Sequence, residues 1–174
     1  EMIGKKGKVF VETTNPDVSS VVERVEGFKK GISEYPDIEL VGVEYCLDVQ
    51  EKAQQQVAAA LQAHPDIVGI FGTNLYSAQG AYQAVANAGL AGVVKIAAWD
   101  ATEDLIKALK EGQVDLVLAQ KPYEIGTLAA EWAYKYLVEG QEVPKRIVPG
   151  FFFFTRDNVD DPEAQQYIYR MPQD

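Results

Sequence analysis

Six short stretches rich in β-branched and aromatic residues, alternating with five segments of helical apolar spacing, set the limits on what this chain can fold into. The stretches are Lys8–Thr14, Ile38–Cys46, Ile67–Thr73, Val93–Trp99, Val114–Ala119 and Ile147–Thr155. Strands that are apolar without alternation must be covered on both faces, which a parallel sheet between two helical layers achieves. The connecting segments supply the helices. Ser20 and Glu23 have the spacing of a capping box opening a helix to about Tyr35, before Pro36. From Gln50 to His64 the apolar positions Ala53, Val57, Ala60 and Leu61 recur on one face, and Pro65 stops the helix. A third helix, Ser77–Ala88, ends at Gly89, and Thr102 caps a fourth that closes at Gly112. Pro122–Glu139 is the longest and ends at Gly140. The expected fold is α/β, a doubly wound parallel sheet with helices on both faces and right-handed crossovers.

Charge and composition remove several functions. The formal net charge of −10 opposes electrostatic binding to nucleic acid or to an anionic membrane surface. No apolar run approaches the roughly 18–20 residues that span a bilayer. The all-aromatic run Phe151–Phe154 is strand-sized and reads as a buried strand. With one cysteine, Cys46, no internal disulfide can form, which fits the cytoplasm and also fits an exported protein of this size. Cys46 itself reads as a buried strand end. The chain starts at Glu1 without a charged-then-apolar leader, so an exported protein is expected to have lost its signal.

In a doubly wound sheet, ligands gather beyond the carboxyl ends of the strands. Strand three ends at Thr73-Asn74, strand four at Asp100 and strand five at Gln120, while Arg24 lies about one turn into the first helix. One cation, one carboxylate and two amides are thus expected on one rim. A sugar is a cage of hydroxyls, each both donor and acceptor, and this set offers both halves of every such bond. Charge-assisted bonds to Arg24 and Asp100 would be about twice as strong as neutral ones. Trp99 and Tyr76 are candidates to cover the apolar face of a ring. Each residue also has an ordinary role. Asn74 and Asp100 can form turns or helix caps, Arg24 can be a solvated helix residue, and Gln120 can belong to a hinge.

Chemistry of other kinds finds no residues. His64, the one histidine, sits at a helix end where a favourable terminal charge explains it. One His and one Cys make no zinc cluster and no Cys–His pair. No serine occupies a nucleophile elbow. The turn after the first strand, TTNPDVSS, has no glycine and resembles neither a dinucleotide fingerprint nor a phosphate loop. Asp100 has no paired group with which to share acid–base work. The chain is expected to be no enzyme and to need no cofactor or metal.

Four segments, SSVVERVEGFKKGI, QAHPDIVGIFGTN, KIAAWDATEDLIKALKEG and AQKPYEIGTLAAEWAYKYLVEG, resemble successive blocks of the sugar-binding proteins of bacterial ABC importers. The resemblance spans about residues 4–160 and is nearest to the ribose-binding type of the periplasmic binding protein type 1 fold, in its C-terminal half. It implies that the sugar contacts of this half are Arg24 in ERVEGF, Asn74 in FGTN, Asp100 in AAWD and Gln120 in LAQKP. The chain departs from the pattern in having Asn74-Leu75 where the family has Asn-Asp, and Trp99 before the aspartate. It also lacks an aromatic around Leu47-Asp48, where the family packs one on the sugar. A monosaccharide or polyol is therefore expected rather than ribose specifically.

The resemblance also implies an organisation. Residues 1–120 are the C-terminal lobe, 121–145 a crossover helix that packs on an N-terminal lobe, 146–156 a returning strand and 157–174 a tail. The stripe Ile125, Ala129, Trp132 and Tyr136 then needs a partner, either a complementary N-terminal lobe or a second copy of the chain. Membrane permease subunits are the further partners expected of a solute-binding component. The expected location is periplasmic, or extracellular with a lipid anchor. The alternative is a ligand-sensing domain of a LacI-type regulator or a receptor, which uses the same lobes.

Overall fold

The computed structural model describes residues 2–170. It contains β1 (Gly7–Thr13), α1 (Ser19–Ile32), β2 (Ile38–Tyr45), α2 (Gln50–Ala63), β3 (Ile67–Gly72), α3 (Leu75–Asn87), β4 (Lys95–Trp99), α4 (Glu103–Lys110), β5 (Leu116–Gln120), α5 (Pro122–Glu139) and β6 (Phe151–Phe154). A short 3₁₀ turn follows at Ala164–Tyr167. The strands form one sheet in the order β2-β1-β3-β4-β5-β6. The order reverses between β1 and β3, and the reversal opens a crevice at the carboxyl edge.

The sheet's two faces are filled unequally. Phe10, Ile70, Ile96, Ala98, Val117 and Ala119 point to the face that carries α2, α3 and α4, and pack into one continuous core. Val11, Phe71 and Trp99 point to the other, where Val25 and Phe28 of α1 meet them. Close approach of α2 and α3 depends on Gly80. A Cβ there would lie 2.5 Å from the Ala53 Cβ and 2.7 Å from the Gln50 carbonyl oxygen. The glycine stops anticipated at Gly89, Gly112 and Gly140 all have positive φ, as a helix-ending left-handed residue requires.

Three expectations need correction. The capping box at Ser20 and Glu23 does not form. Asn15 accepts a bond from the Asp17 N–H at 2.9 Å, and this turn delivers the chain into α1 at Ser19, with Val18 as an N-cap lacking any side-chain bond. The sheet is not wholly parallel, because β6 pairs antiparallel with β5. The four phenylalanines of β6 are not all buried. Phe154 enters the main core, but Phe151 and Phe153 are 43% and 52% exposed. Alternate residues of a strand point to opposite faces, and this pair faces the side with only α1.

The segment read as a tail folds back onto the body, with Val159 and Ala164 buried in the main core. Arg156 donates to the Val114 carbonyl at 3.0 Å and to Asp115 at 3.2 Å. The last four residues of that segment, 171–174, lie outside the described residues. Cys46 is buried just past β2. Helix α5 has no buried residue. Its stripe borders an open trough of about 390 Å³ shared with Val143 and Ile147. Among the described residues no helix is long and apolar enough to cross a membrane.

Candidate functional site

The crevice at the β1/β3 reversal is pinned by Thr13 and Thr73, whose buried hydroxyls meet at 2.6 Å. Arg24 reaches it from α1 because its position, one turn in from Ser19, carries the side chain back over the strand ends. Its Nη1 donates to the Thr73 carbonyl oxygen at 2.8 Å, and its guanidinium lies 4.0 Å above the Trp99 ring. These two contacts fix the fork while leaving other N–H donors for the crevice. Burial pulls the Arg24 pKa down from its usual value, against the raising influence of Asp100 and Tyr169.

Asp100 follows β4 with φ of 75°, a left-handed conformation uncommon for a non-glycine residue. Such backbone concentrates at binding sites, where the surroundings enforce it. Here its N–H donates to the Leu118 carbonyl and its own carbonyl accepts from the Thr102 N–H. The carboxylate accepts from Gln120 Nε2 at 3.2 Å. Burial pushes the Asp100 carboxyl up, opposed by the Gln120 amide, the Arg24 charge and the Leu75 N–H. Arg24, Asp100 and Gln120 therefore share one edge and one electrostatic environment.

Asn74 stands beside them rather than among them. Its Oδ1 accepts from the Ser77 N–H at 3.1 Å in a capping box that opens α3, and its Nδ2 donates to Asp48 at 2.6 Å. Among the described residues one Nδ2 hydrogen and one Oδ1 lone pair stay free. Its helix-capping role is real, and it leaves room for one further pair of bonds. Trp99 corrects an expectation. It is 7% exposed and its face lies under Arg24, so it serves as the platform of the cation instead of an open stacking surface. Tyr76 is exposed on the first turn of α3 and makes no hydrogen bond to the four polar residues in the described structure.

Two residues at this edge escaped the sequence reading. Asp48 comes just past β2 and follows Leu47, and both have positive φ. A strand-end rule applied to β2 as it was to β3, β4 and β5 would have found it. Tyr169 comes from the supposed tail, and its hydroxyl accepts from the Gln120 N–H at 2.7 Å. The aromatic pair in YIYR was its signal, since two tyrosines flanking an isoleucine are more apolar than a solvated tail needs.

Below the rim, on the α1 face, lies a trough of about 720 Å³ lined by Arg24, Phe28, Phe71, Trp99, Leu118 and Gln120. Its floor is apolar, so it is the part of the sheet that α1 leaves uncovered, with the polar crevice at one end. Among the described residues no group of three or more His, Cys, Asp or Glu is placed to hold a metal.

This is an open α/β sheet with hydrogen-bonding side chains gathered at its switch point, the anatomy of a ligand-binding lobe. Residues 1–142 match the periplasmic binding protein domain family, and the chain belongs to it. It is 32% identical over 140 residues to the ribose import binding protein RbsB of Salmonella typhimurium, covering 80% of this chain and 46% of that protein. Among solved structures it resembles an ABC transporter solute-binding protein of Agrobacterium vitis bound with α-D-tagatopyranose, at 36% identity and a TM-score of 0.92. That match covers 98% of this chain and 57% of the other. A solute-binding protein of Actinobacillus succinogenes with bound D-allose matches at 33% identity and a TM-score of 0.83, covering 91% and 56%. The chain spans about half the length of the relatives it matches.

Proposed function

We propose that this chain is the carboxyl-side lobe of the solute-binding component of a carbohydrate ABC importer, binding a neutral monosaccharide or polyol at the crevice. The observation that carries this is the meeting of Arg24, Asp100 and Gln120 on one edge, tied by the 3.2 Å bond between the last two. A fixed cation beside an acceptor-only carboxylate and an in-plane amide suits vicinal hydroxyls. Asn74 supplies its remaining donor and acceptor from the adjacent strand end. Relatives named as import binding proteins support the importer over a regulator or receptor input domain. They also support a binding role over an enzymatic one.

On this reading the open stripe of α5 packs against a complementary N-terminal lobe, the two lobes close on the sugar by hinge motion, and the closed form meets permease subunits. The location is periplasmic, or outside the cell on a lipid anchor. Calorimetric titration of the two-lobed protein with D-ribose, D-allose and D-tagatose tests it. Arg24→Ala or Asp100→Ala is expected to cost about 2–5 kcal/mol of affinity, as for truncating one partner of a buried charged set. Heat-silent titrations of the wild-type protein with every monosaccharide would remove the reading.

A further inference from the structure

The carboxyl-terminal segment does more than cover the core. Gln120 is the last residue of β5, and it shares its strand parity with Leu118, whose carbonyl bonds the Asp100 N–H on the β4 side. The N–H and C=O of Gln120 therefore point to the same side. There β4 has already ended, its pairing with β5 stopping at Trp99 and Leu118. A strand end in that position leaves one donor and one acceptor without a ladder partner, at a real cost if they are buried.

Tyr169 supplies both missing partners. Its hydroxyl accepts from the Gln120 N–H at 2.7 Å and lies 3.3 Å from the Gln120 carbonyl oxygen, to which it donates. Its main chain does the corresponding work on the neighbouring strand end. The Tyr169 N–H donates to the Ala101 carbonyl at 2.8 Å, and Tyr169 pairs with Thr102 as an isolated parallel bridge. The turn that holds Asp100 at positive φ is thus bonded to the same residue that holds Gln120. The Gln120 Nε2 to Asp100 bond closes the ring.

We propose that Tyr169 is a positioning residue of the binding crevice, setting the separation of Asp100 and Gln120 through its hydroxyl and its main chain. The assignment rests on the sugar-site reading of those two residues. It makes the segment from Val159 to Tyr169 a working part of the site. Burial, with Asp100 near by, raises the Tyr169 phenol to about 12, so at neutral pH it keeps the proton needed to donate as well as accept.

The test is amide hydrogen exchange and ¹⁵N–¹H spectroscopy of the full chain and of Tyr169→Phe, which keeps the ring and removes the hydroxyl. Exchange at the Gln120 N–H is expected to quicken on the order of tenfold or more, as on loss of one intramolecular bond. Amides in α2 and α3, on the far side of the sheet, should hold their wild-type rates. In titrations with D-allose and D-tagatose, the shifts at Asp100 and Gln120 are expected to need roughly tenfold more sugar in the variant. A tyrosine that only stabilised the fold would lower the melting midpoint and quicken Gln120 exchange but leave the sugar titration of Asp100 and Gln120 unchanged, which overturns the positioning role. Gln165→Ala is the control for that outcome, because it removes the Gln165 side-chain bonds to the Val159 carbonyl and from Arg170 and leaves the Tyr169 hydroxyl in place.

Unchanged Gln120 exchange in Tyr169→Phe overturns the assignment, whatever the sugars do. Absence of any sugar response in the wild-type chain and in the two-lobed protein overturns the sugar-site reading instead. If Tyr169→Phe does not fold, the wild-type chain decides. A Tyr169 hydroxyl proton in fast exchange, with no nuclear Overhauser contact to the Gln120 amide, overturns the proposal.

Discussion

Helices α4 and α5 have comparable sequence signals and opposite fates. Thr102 caps α4, whose eight residues bury Leu105, Ile106, Ala108 and Leu109. Pro122 opens α5 and Gly140 closes it, yet none of its eighteen residues is buried. Both have apolar residues recurring along one side. What separates them is the surface opposite. Helix α4 lies over Ile96 and Val117, which β4 and β5 turn toward it, whereas α5 leaves the sheet after Gln120 with its stripe facing outward. Amphipathicity states that a helix needs a partner, and says nothing about which segment provides it.

The contrast can be broken at its strongest point first. Leu109→Ala is expected to destabilise the chain by about 2–5 kcal/mol, since a fully buried leucine leaves a cavity its neighbours only partly fill. Urea denaturation measures it, and a loss below 1 kcal/mol would mean that α4 is not part of the cooperative core.

A second substitution sharpens the comparison from inside the closed face. Glu12 is fully buried in β1 and neither of its carboxylate oxygens has a partner among the described residues. Burial, with Glu44 beside it, pushes its pKa up to about 9, against the lowering influence of Lys52. Glu12→Leu is therefore expected to stabilise by roughly 1–3 kcal/mol, by removing a buried polar group without bonds. The pH dependence follows from proton counting. Between the usual 4.5 and about 9 the native state keeps a proton that the unfolded state has released. This group's contribution to stability therefore falls as pH rises through that window and is level below it. Glu12→Gln should flatten the slope, and denaturation midpoints at several pH values that kept the slope would assign it elsewhere.

Smaller effects lie at the helix ends and on the open stripe. The Leu105 N–H to Thr102 hydroxyl bond is long, 3.5 Å, so Thr102→Ala should cost about 0.5–1 kcal/mol, the low end for a cap. Trp132→Ala in α5 should change the stability of this chain by less than about 0.5 kcal/mol, as for a surface site. The same substitution should weaken association with a complementary lobe far more. Sedimentation of mixtures separates the two effects, and a large stability loss in the chain alone would show that α5 is packed after all.

How far the sequence could be read depended on whether the deciding contacts were local. The limits of α5 were legible to the residue because Pro122 and Gly140 act on their own backbone. The start of α1 was misread because the Asn15 side chain, four residues before the first helical turn, settles where the chain turns in. That Asp100 and Gln120 share an edge could be expected because strand ends are visible as changes in polarity, and Arg24 joins them from near the start of the helix that follows β1. Tyr169 was missed because its partner lies 49 positions earlier, and no spacing rule connects them. Asp48 was hidden by Leu47, a residue type with little tendency toward the left-handed backbone it adopts here. The two exposed phenylalanines of β6 turned on which face would lack a helix, a property of the assembled sheet.

The antiparallel pairing of β5 with β6 has a mechanical consequence. Gln120 lies opposite Phe151, so the chain departs for α5 and comes back from it at the same rung of the ladder. Both chain crossings between α5 and the sheet therefore enter at one place, the last pair of the β5–β6 ladder. A load carried by that helix would be passed to the sheet at Gln120, the residue whose side chain is bonded to Asp100.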